Sequence, residues 1–270
     1  MSRKSSLLAL SALLLSATAV HAQTNIISFN FEGNSDTPAP VFRNLNAGVV
    51  PAMNFNNDVA GNMGAITNGS QVKYSDGTAS GVTFSYNSYE AQNNGLDANS
   101  SYNTDGNQQL MNGYIKSGPV AAGPNGTNST ANVTVSAVPF SSYSLYVYAF
   151  DGSSQFGTYT VTPSGSVTGI SQNADLQSTF DPSNPYTMAT ATTPGDYLLF
   201  TGLTASSFTL TANRQTGDTS ATTFIPIDGF QIVATPAAVP EASTTISFGL
   251  LLALGLGAVA VRKKKAAASA

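Results

Sequence analysis

The 270-residue chain contains no cysteine and no tryptophan, and its one histidine is His21. No disulfide can staple the fold, and no thiolate can ligate a metal or attack a carbonyl. Residues 23–235 therefore lack an imidazole, so nucleophilic hydrolysis of the Ser-His-Asp or Cys-His type has no base there. A Ser-Lys variant would need Lys73 or Lys116 buried beside a serine, and nothing in the spacing suggests it. Charge is also scarce, at 9% of residues. Residues 23–235 carry four basic residues (Arg43, Lys73, Lys116 and Arg214) against thirteen acidic ones, a formal charge of −9. Isolated cations on an acidic body exclude nucleic acid as a partner, because that interaction needs clustered Lys and Arg. No clear internal repeat emerges, which disfavours solenoids and propellers.

What the chain does have begins at its ends. Arg3 and Lys4 precede an apolar stretch over residues 7–20, broken only by Ser and Thr. Val20-His21-Ala22 then forms a small-residue cleavage site. This is the layout of a secretory signal peptide over residues 1–22, cut between Ala22 and Gln23. At the other end, residues 243–261 contain no charge. At about 1.5 Å rise per residue that stretch reaches roughly 28 Å as a helix, close to the hydrocarbon thickness of a bilayer. Arg262, Lys263, Lys264 and Lys265 follow as a basic stop, held cytoplasmic by the positive-inside rule. The expected division is a signal peptide (1–22), a body (23–235), a linker with a short motif (236–245), a transmembrane helix (246–261) and a basic tail (262–270).

Val239, Pro240, Glu241, Ala242 and Ser243, together with the apolar helix and the basic cluster, resemble the PEP-CTERM sorting signal of Gram-negative bacteria, a segment also labelled an ice-binding protein C-terminal domain. The usual motif is V-P-E-P-S, and Ala242 replaces its second proline. The resemblance covers about thirty residues. It implies recognition by an exosortase in the inner membrane, cleavage near Pro240-Glu241, and surface attachment or release, typically in bacteria that make exopolysaccharide. The ice-binding label is no evidence of ice binding. The body is similar to an uncharacterised type that precedes this signal, through pieces such as Phe29-Asn30-Phe31, Asn54-Phe55-Asn56-Asn57 and residues 110–114. That similarity implies a secreted β-sandwich and no assigned activity.

The body has no useful helical periodicity. It has short alternating runs separated by clusters of Gly, Pro, Asn, Asp and Ser. Strands are expected over residues 26–31, 132–138, 142–150, 156–162, 197–201, 207–212 and 230–233. Residues 71–74 and 82–86 flank Asp76-Gly77, a hairpin-type turn signal. Residues 142–150 and 156–162 are expected to form a hairpin around Asp151-Gly152-Ser153. Residues 91–109 and 117–130 read as long polar loops, with an ordered piece at 110–114 between them. About ten strands at this spacing predict an all-β, jelly-roll-like β-sandwich.

Three kinds of site chemistry suit these residue types. A glycosidase needs two carboxyl groups about 5–9.5 Å apart, and Glu32 and Glu90 are the only glutamates in the body. A secreted carbohydrate hydrolase or lyase using them is the alternative to a non-enzymatic role. Calcium takes oxygen ligands from loops, and Asp97, Asp105 and Asp151 offer them, although none has the full calcium-loop spacing. Such residues equally serve as turn formers. Contact with extracellular polysaccharide would use aromatic faces, for which Tyr86, Tyr89, Tyr102, Tyr146 and Tyr148 are the candidates. No other cofactor is expected. The sequence thus predicts an exported, exosortase-sorted envelope or matrix protein, structural or glycan-contacting rather than catalytic.

Overall fold

A computed structural model describes residues 26–31, 45–58, 63–66, 71–93, 105–118, 130–150, 152–181, 185–214 and 224–235. All belong to the first of the two units into which the chain divides, Met1–Thr235 and Pro236–Ala270. The expected signal peptide, sorting motif, membrane segment and basic tail lie outside the described residues, as do Glu32, Asp97, Tyr102 and Asp151. Among the described residues no helix is long and apolar enough to cross a membrane.

The fold is all-β. Its strands are β1 (Ile26–Phe31), β2 (Asn56–Asp58), β3 (Met63–Ile66), β4 (Thr83–Asn87), β5 (Glu90–Asn93), β6 (Gly113–Lys116), β7 (Ala131–Ser136), β8 (Tyr143–Tyr148), β9 (Gln155–Pro163), β10 (Ile170–Leu176), β11 (Pro194–Gly195), β12 (Tyr197–Leu203), β13 (Phe208–Arg214), β14 (Pro226–Ile227) and β15 (Gly229–Ala234), with one short helix, α1 (Gly106–Leu110). A five-stranded sheet runs β12-β8-β15-β1-β2, a seven-stranded sheet runs β11-β10-β9-β13-β7-β4-β3, and a small sheet runs β14-β6-β5.

The two large sheets bury one common core. Alternation drives this. In β7 and β13 every second side chain is buried and its neighbours are half-buried, as a period of two requires when one face is dry. Ile27, Phe29, Leu145, Val147 and Phe230 from one sheet join Phe84, Val133, Val135, Val161 and Leu210 from the other. Phe29 marks the seam: its ring stacks on Phe230 at 4.5 Å within its own sheet and meets Phe84 of the opposite sheet at 4.6 Å.

β1 does not alternate. All six of its side chains are buried, because a second apolar cluster covers the outer face of the five-stranded sheet. Ala47, Ala52 and Phe55, Leu110 and Met111, and Tyr186 pack there against Ile26, Tyr146, Tyr148 and Val233. Hydrogen bonds hold this cover down. Val49 donates to the Tyr148 phenol at 2.8 Å and Gly48 to the Tyr186 phenol at 2.8 Å. Tyr148 donates in turn to Gln231, whose amide reaches Ser28 at 3.2 Å and Val50 at 2.9 Å. Burial pushes the Tyr148 phenol well above its ordinary range, with the neighbouring Tyr186 adding to the effect.

Several sequence expectations are corrected. The hairpin between residues 142–150 and 156–162 is not formed. β8 pairs with β12 and β15, whereas β9 pairs with β10 and β13 in the other sheet. Turn residues reverse the chain without deciding whether two strands pair edge to edge or face each other across a core. Both edges of β8 are already occupied, so the chain arches over the core instead. Around Asp76-Gly77 the turn is present, with Gly77 at φ 87 and Tyr74 accepting its N–H at 2.9 Å. It closes only a narrow ladder over residues 72–80, and β4 pairs with β3 and β7. The polar stretch at 91–109 is not wholly loop: it contains most of β5 and much of α1.

Candidate functional site

The small sheet gathers the most varied chemistry among the described side chains. β5 and β6 are antiparallel, with Glu90 opposite Lys116 and Gln92 opposite Tyr114. Alternation places these four side chains on one face. Lys116 is only 4% exposed. Its Nζ donates to Gln92 Oε1 at 2.7 Å and lies 3.3 Å from Glu90 Oε2. The Tyr114 hydroxyl donates to the same Gln92 oxygen at 3.0 Å. β14 pairs with β6, and just ahead of it the Phe224 ring lies over the ammonium, 4.0 Å from Nζ to centroid. Tyr89 stacks on Phe224 at 6.1 Å with planes 22° apart.

This geometry has a floor and a rim. Lys116 forms the floor, where the cost of removing an ammonium from water is offset by the carboxylate, the amide and the ring. Tyr89 and Phe224 are half-buried, and the Glu90 side chain is 41% exposed, so the rim offers aromatic surface beside a carboxylate. Apolar ring faces next to a few fixed polar groups are what binds a ligand with one apolar face and hydroxylated edges.

The five-tyrosine expectation divides. Tyr89 sits at this rim. Tyr148 is fully buried in the cover of the five-stranded sheet, and Tyr146 packs 6.3 Å from Tyr197 in the same cluster. Tyr86 is 6% exposed and packs on Phe31 and Phe84. These three are packing residues in this arrangement, with little or no free face for a sugar. Asp105 is the N-cap of α1: its Oδ1 accepts from Asn107 N at 2.8 Å and Gln108 N at 3.4 Å. Its carboxylate thus does the work of a cap. Among the described residues no three His, Cys, Asp or Glu side chains form a metal-binding group. Glu90 faces Lys116. Lys116 is buried, as a Ser-Lys arrangement requires, but its ammonium is held by Gln92, Glu90 and rings. Lys73 instead lines a cleft of about 320 Å³ with Asn54, Asn56, Asn57 and Gln71.

A second surface was not foreseen. The outer face of the seven-stranded sheet is a lattice of small neutral polar groups. Asn87, Asn132, Thr211, Thr160 and Ser171 stand opposite one another across β4, β7, β13, β9 and β10. Ser85, Thr134, Thr209 and Thr162 form the next row. Thr134 and Thr209 hydroxyls meet at 3.2 Å, Thr211 donates to Asn132 at 2.9 Å, and Thr160 and Ser171 meet at 2.8 Å. Neither row contains a charge, although such faces commonly carry them.

Gln92, Lys116 and Phe224 were not named as glycan contacts from sequence. They join Tyr89 and Glu90 only through the pairing of strands far apart in the chain. The one available signal was the rarity of Lys and Glu in this body, which makes any two that meet informative. No family model matches the chain, and no curated protein matches it.

Proposed function

We propose that this is an exported, non-enzymatic envelope or matrix protein with a jelly-roll body that contacts a neutral or weakly charged extracellular polysaccharide. The observation that carries the glycan part is the rim of Tyr89, Phe224 and Glu90 over the Lys116–Gln92 floor. The threonine and asparagine lattice supports it as a second uncharged, hydroxyl-rich surface. The jelly-roll reading is supported by the orders β12-β8-β15-β1 and β10-β9-β13-β7, in which successive long strands cross between the two sheets except at the β9–β10 hairpin, as in two Greek keys. Export and exosortase sorting rest on the signal-peptide layout, the V-P-E-A-S motif, the apolar stretch and the R-K-K-K cluster.

Retardation of the full chain in gels cast with the producer's own polysaccharide tests the glycan part. Tyr89→Ala and Phe224→Ala are each expected to weaken retention at least fivefold, as loss of a ring contact of about 1 kcal/mol or more requires. Wild-type mobility that ignores the polysaccharide would remove it. Mass spectrometry of secreted protein tests the sorting: a C-terminus near Pro240 supports it, and a mature chain retaining residues 262–270 contradicts it.

A further inference from the structure

The cleft of about 320 Å³ lies between two polar walls beside the edge strand β2. One wall is residues 54–57, which lead into β2 and begin it. The other comes from Gln71, Lys73 and Gly77 of the narrow ladder that Lys73 and Ala79 bridge. Asn56 joins the walls. It is 7% exposed, and its Oδ1 accepts from the Lys73 N–H at 2.7 Å. Its Nδ2 donates to the Lys73 and Ser28 carbonyls, each at 2.9 Å. Asn54 adds a second tie, donating from Nδ2 to the Ser75 carbonyl at 2.8 Å, and the Ser75 N–H reaches the Ile26 carbonyl of β1 at 2.9 Å. The backbone carrying Lys73 is thus fixed before any ligand arrives, which lowers the ordering cost of binding.

The lining is lopsided in charge. Asn54, Asn56, Asn57 and Gln71 supply amides, Lys73 supplies one ammonium and Phe55 an apolar contact, and no carboxylate lines the cleft. Lys73 is half-buried, and among the described residues no carboxylate pairs with its ammonium. Lys116, by contrast, is held by Glu90 and Gln92. The nearby Asp76 is engaged elsewhere: its Oδ1 accepts from the Thr78 N–H at 2.8 Å and the Thr78 hydroxyl at 2.6 Å.

One positive charge among neutral amides matches a ligand with one negative charge and several hydroxyls. Amides donate and accept together, as ring hydroxyls do, and an ammonium takes a carboxylate. A phosphate concentrates more charge in less volume than this cleft provides for. A densely anionic chain is repelled by a body carrying −9. We propose that the cleft binds a sugar acid, a single carboxylate on a hydroxylated ring. The carboxylate meets Lys73 Nζ, and the ring hydroxyls meet the amides of Gln71, Asn54 and Asn57. The cleft shares no residue with the Tyr89 rim, so either reading can fail alone.

Ligand-observed NMR titration of the full chain with sodium glucuronate tests it, with glucose, acetate and inorganic phosphate as comparisons. Glucuronate is expected to bind with a Kd of about 1 mM, as suits a small ligand in an open site. Glucose has the ring without the carboxylate, acetate the charge without the ring, and each is expected to bind at least about tenfold more weakly. Lys73→Met keeps the aliphatic stem and should bring glucuronate down to the level of glucose. Gln71 is exposed, so Gln71→Glu leaves the fold intact while placing a carboxylate at the mouth. It should weaken glucuronate about tenfold and leave glucose unchanged. The methyl glycoside of glucuronate reports the source: equal binding identifies a chain-end residue, and loss on methylation identifies the free monosaccharide. Glucuronate binding no tighter than glucose overturns the proposal. So does acetate or phosphate binding as tightly as glucuronate, which is a general anion site, or a glucuronate affinity unchanged in Lys73→Met and Gln71→Glu. Loss of glucuronate binding in Phe224→Ala would place the sugar at the rim and overturn it equally.

Discussion

Asp196 is fully buried. Its carboxyl is pushed up to about 7, because burial disfavours the charged form more than hydrogen bonds from the Thr187 and Asp196 N–H groups favour it. Gln177 Nε2 also donates to Oδ2 at 2.7 Å. Between about pH 4 and 7 the folded chain holds this proton and the unfolded chain does not. Stability therefore falls as pH rises through that window, with an upper bound of about 4 kcal/mol from this one group. Thermal midpoints measured from pH 4.5 to 8 should decline, and Asp196→Asn should flatten the slope that this residue contributes. An unchanged slope in the variant would count against a neutral Asp196. Ala137 holds a second local cost, at φ 62 in the exposed connection that follows β7. Ala137→Gly is expected to raise stability by up to about 1 kcal/mol, read from urea unfolding, because glycine adopts that conformation without the Cβ penalty.

The individual strands divide by how much of their burial alternates. β7, β8, β12 and β13 put apolar side chains at every second position, and their sequences announce them. β10 reads ISQNADL and buries only Ala174 and Leu176, too few for periodicity to reveal it. β2 and β5 are short and polar, too short for alternation to mark either as a strand. Partners were less legible than elements. A turn signal is local, while the choice between pairing and arching depends on edges taken by strands distant in the sequence. The same limit hid the candidate site: Tyr89 and Glu90 stood out by type, but only the β5–β6–β14 pairing brings Gln92, Lys116 and Phe224 to them. The tyrosines of β8 misled for a different reason, since a cover over the outer face turned an apparent surface stripe into core. Cross-strand hydroxyl pairs on the lattice make a modest contribution of about 0.2–1 kcal/mol each. Thr209→Ala should cost no more than that in denaturant unfolding, and a loss above about 2 kcal/mol would mean the face is needed to fold rather than to meet a partner.

For the molecule as a whole, stability comes from shape rather than charge. Residues 23–235 carry −9, and the ion pair seen in the small sheet is part of the candidate site. The core is closed by its most distant strands: β1 pairs with β15, from Ile26 opposite Val233 to Asn30 opposite Gly229. β15 lies between β8 and β1, so a chain ending before Gly229 loses the link between two halves of a sheet. Such a truncation should show no cooperative transition in near-ultraviolet circular dichroism, while the chain ending at Thr235 should.

That pairing also sets a clock. Contacts spanning nearly the whole body carry a large loop-closure cost before they are rewarded, which places such a topology among slow folders, in milliseconds to seconds. A ribosome would release most of the chain before β1 met β15. On the proposed route out of the cytoplasm, a polypeptide threaded N-terminus first would stay extended through its passage, because the strand that completes its sheet is among the last to emerge on the far side.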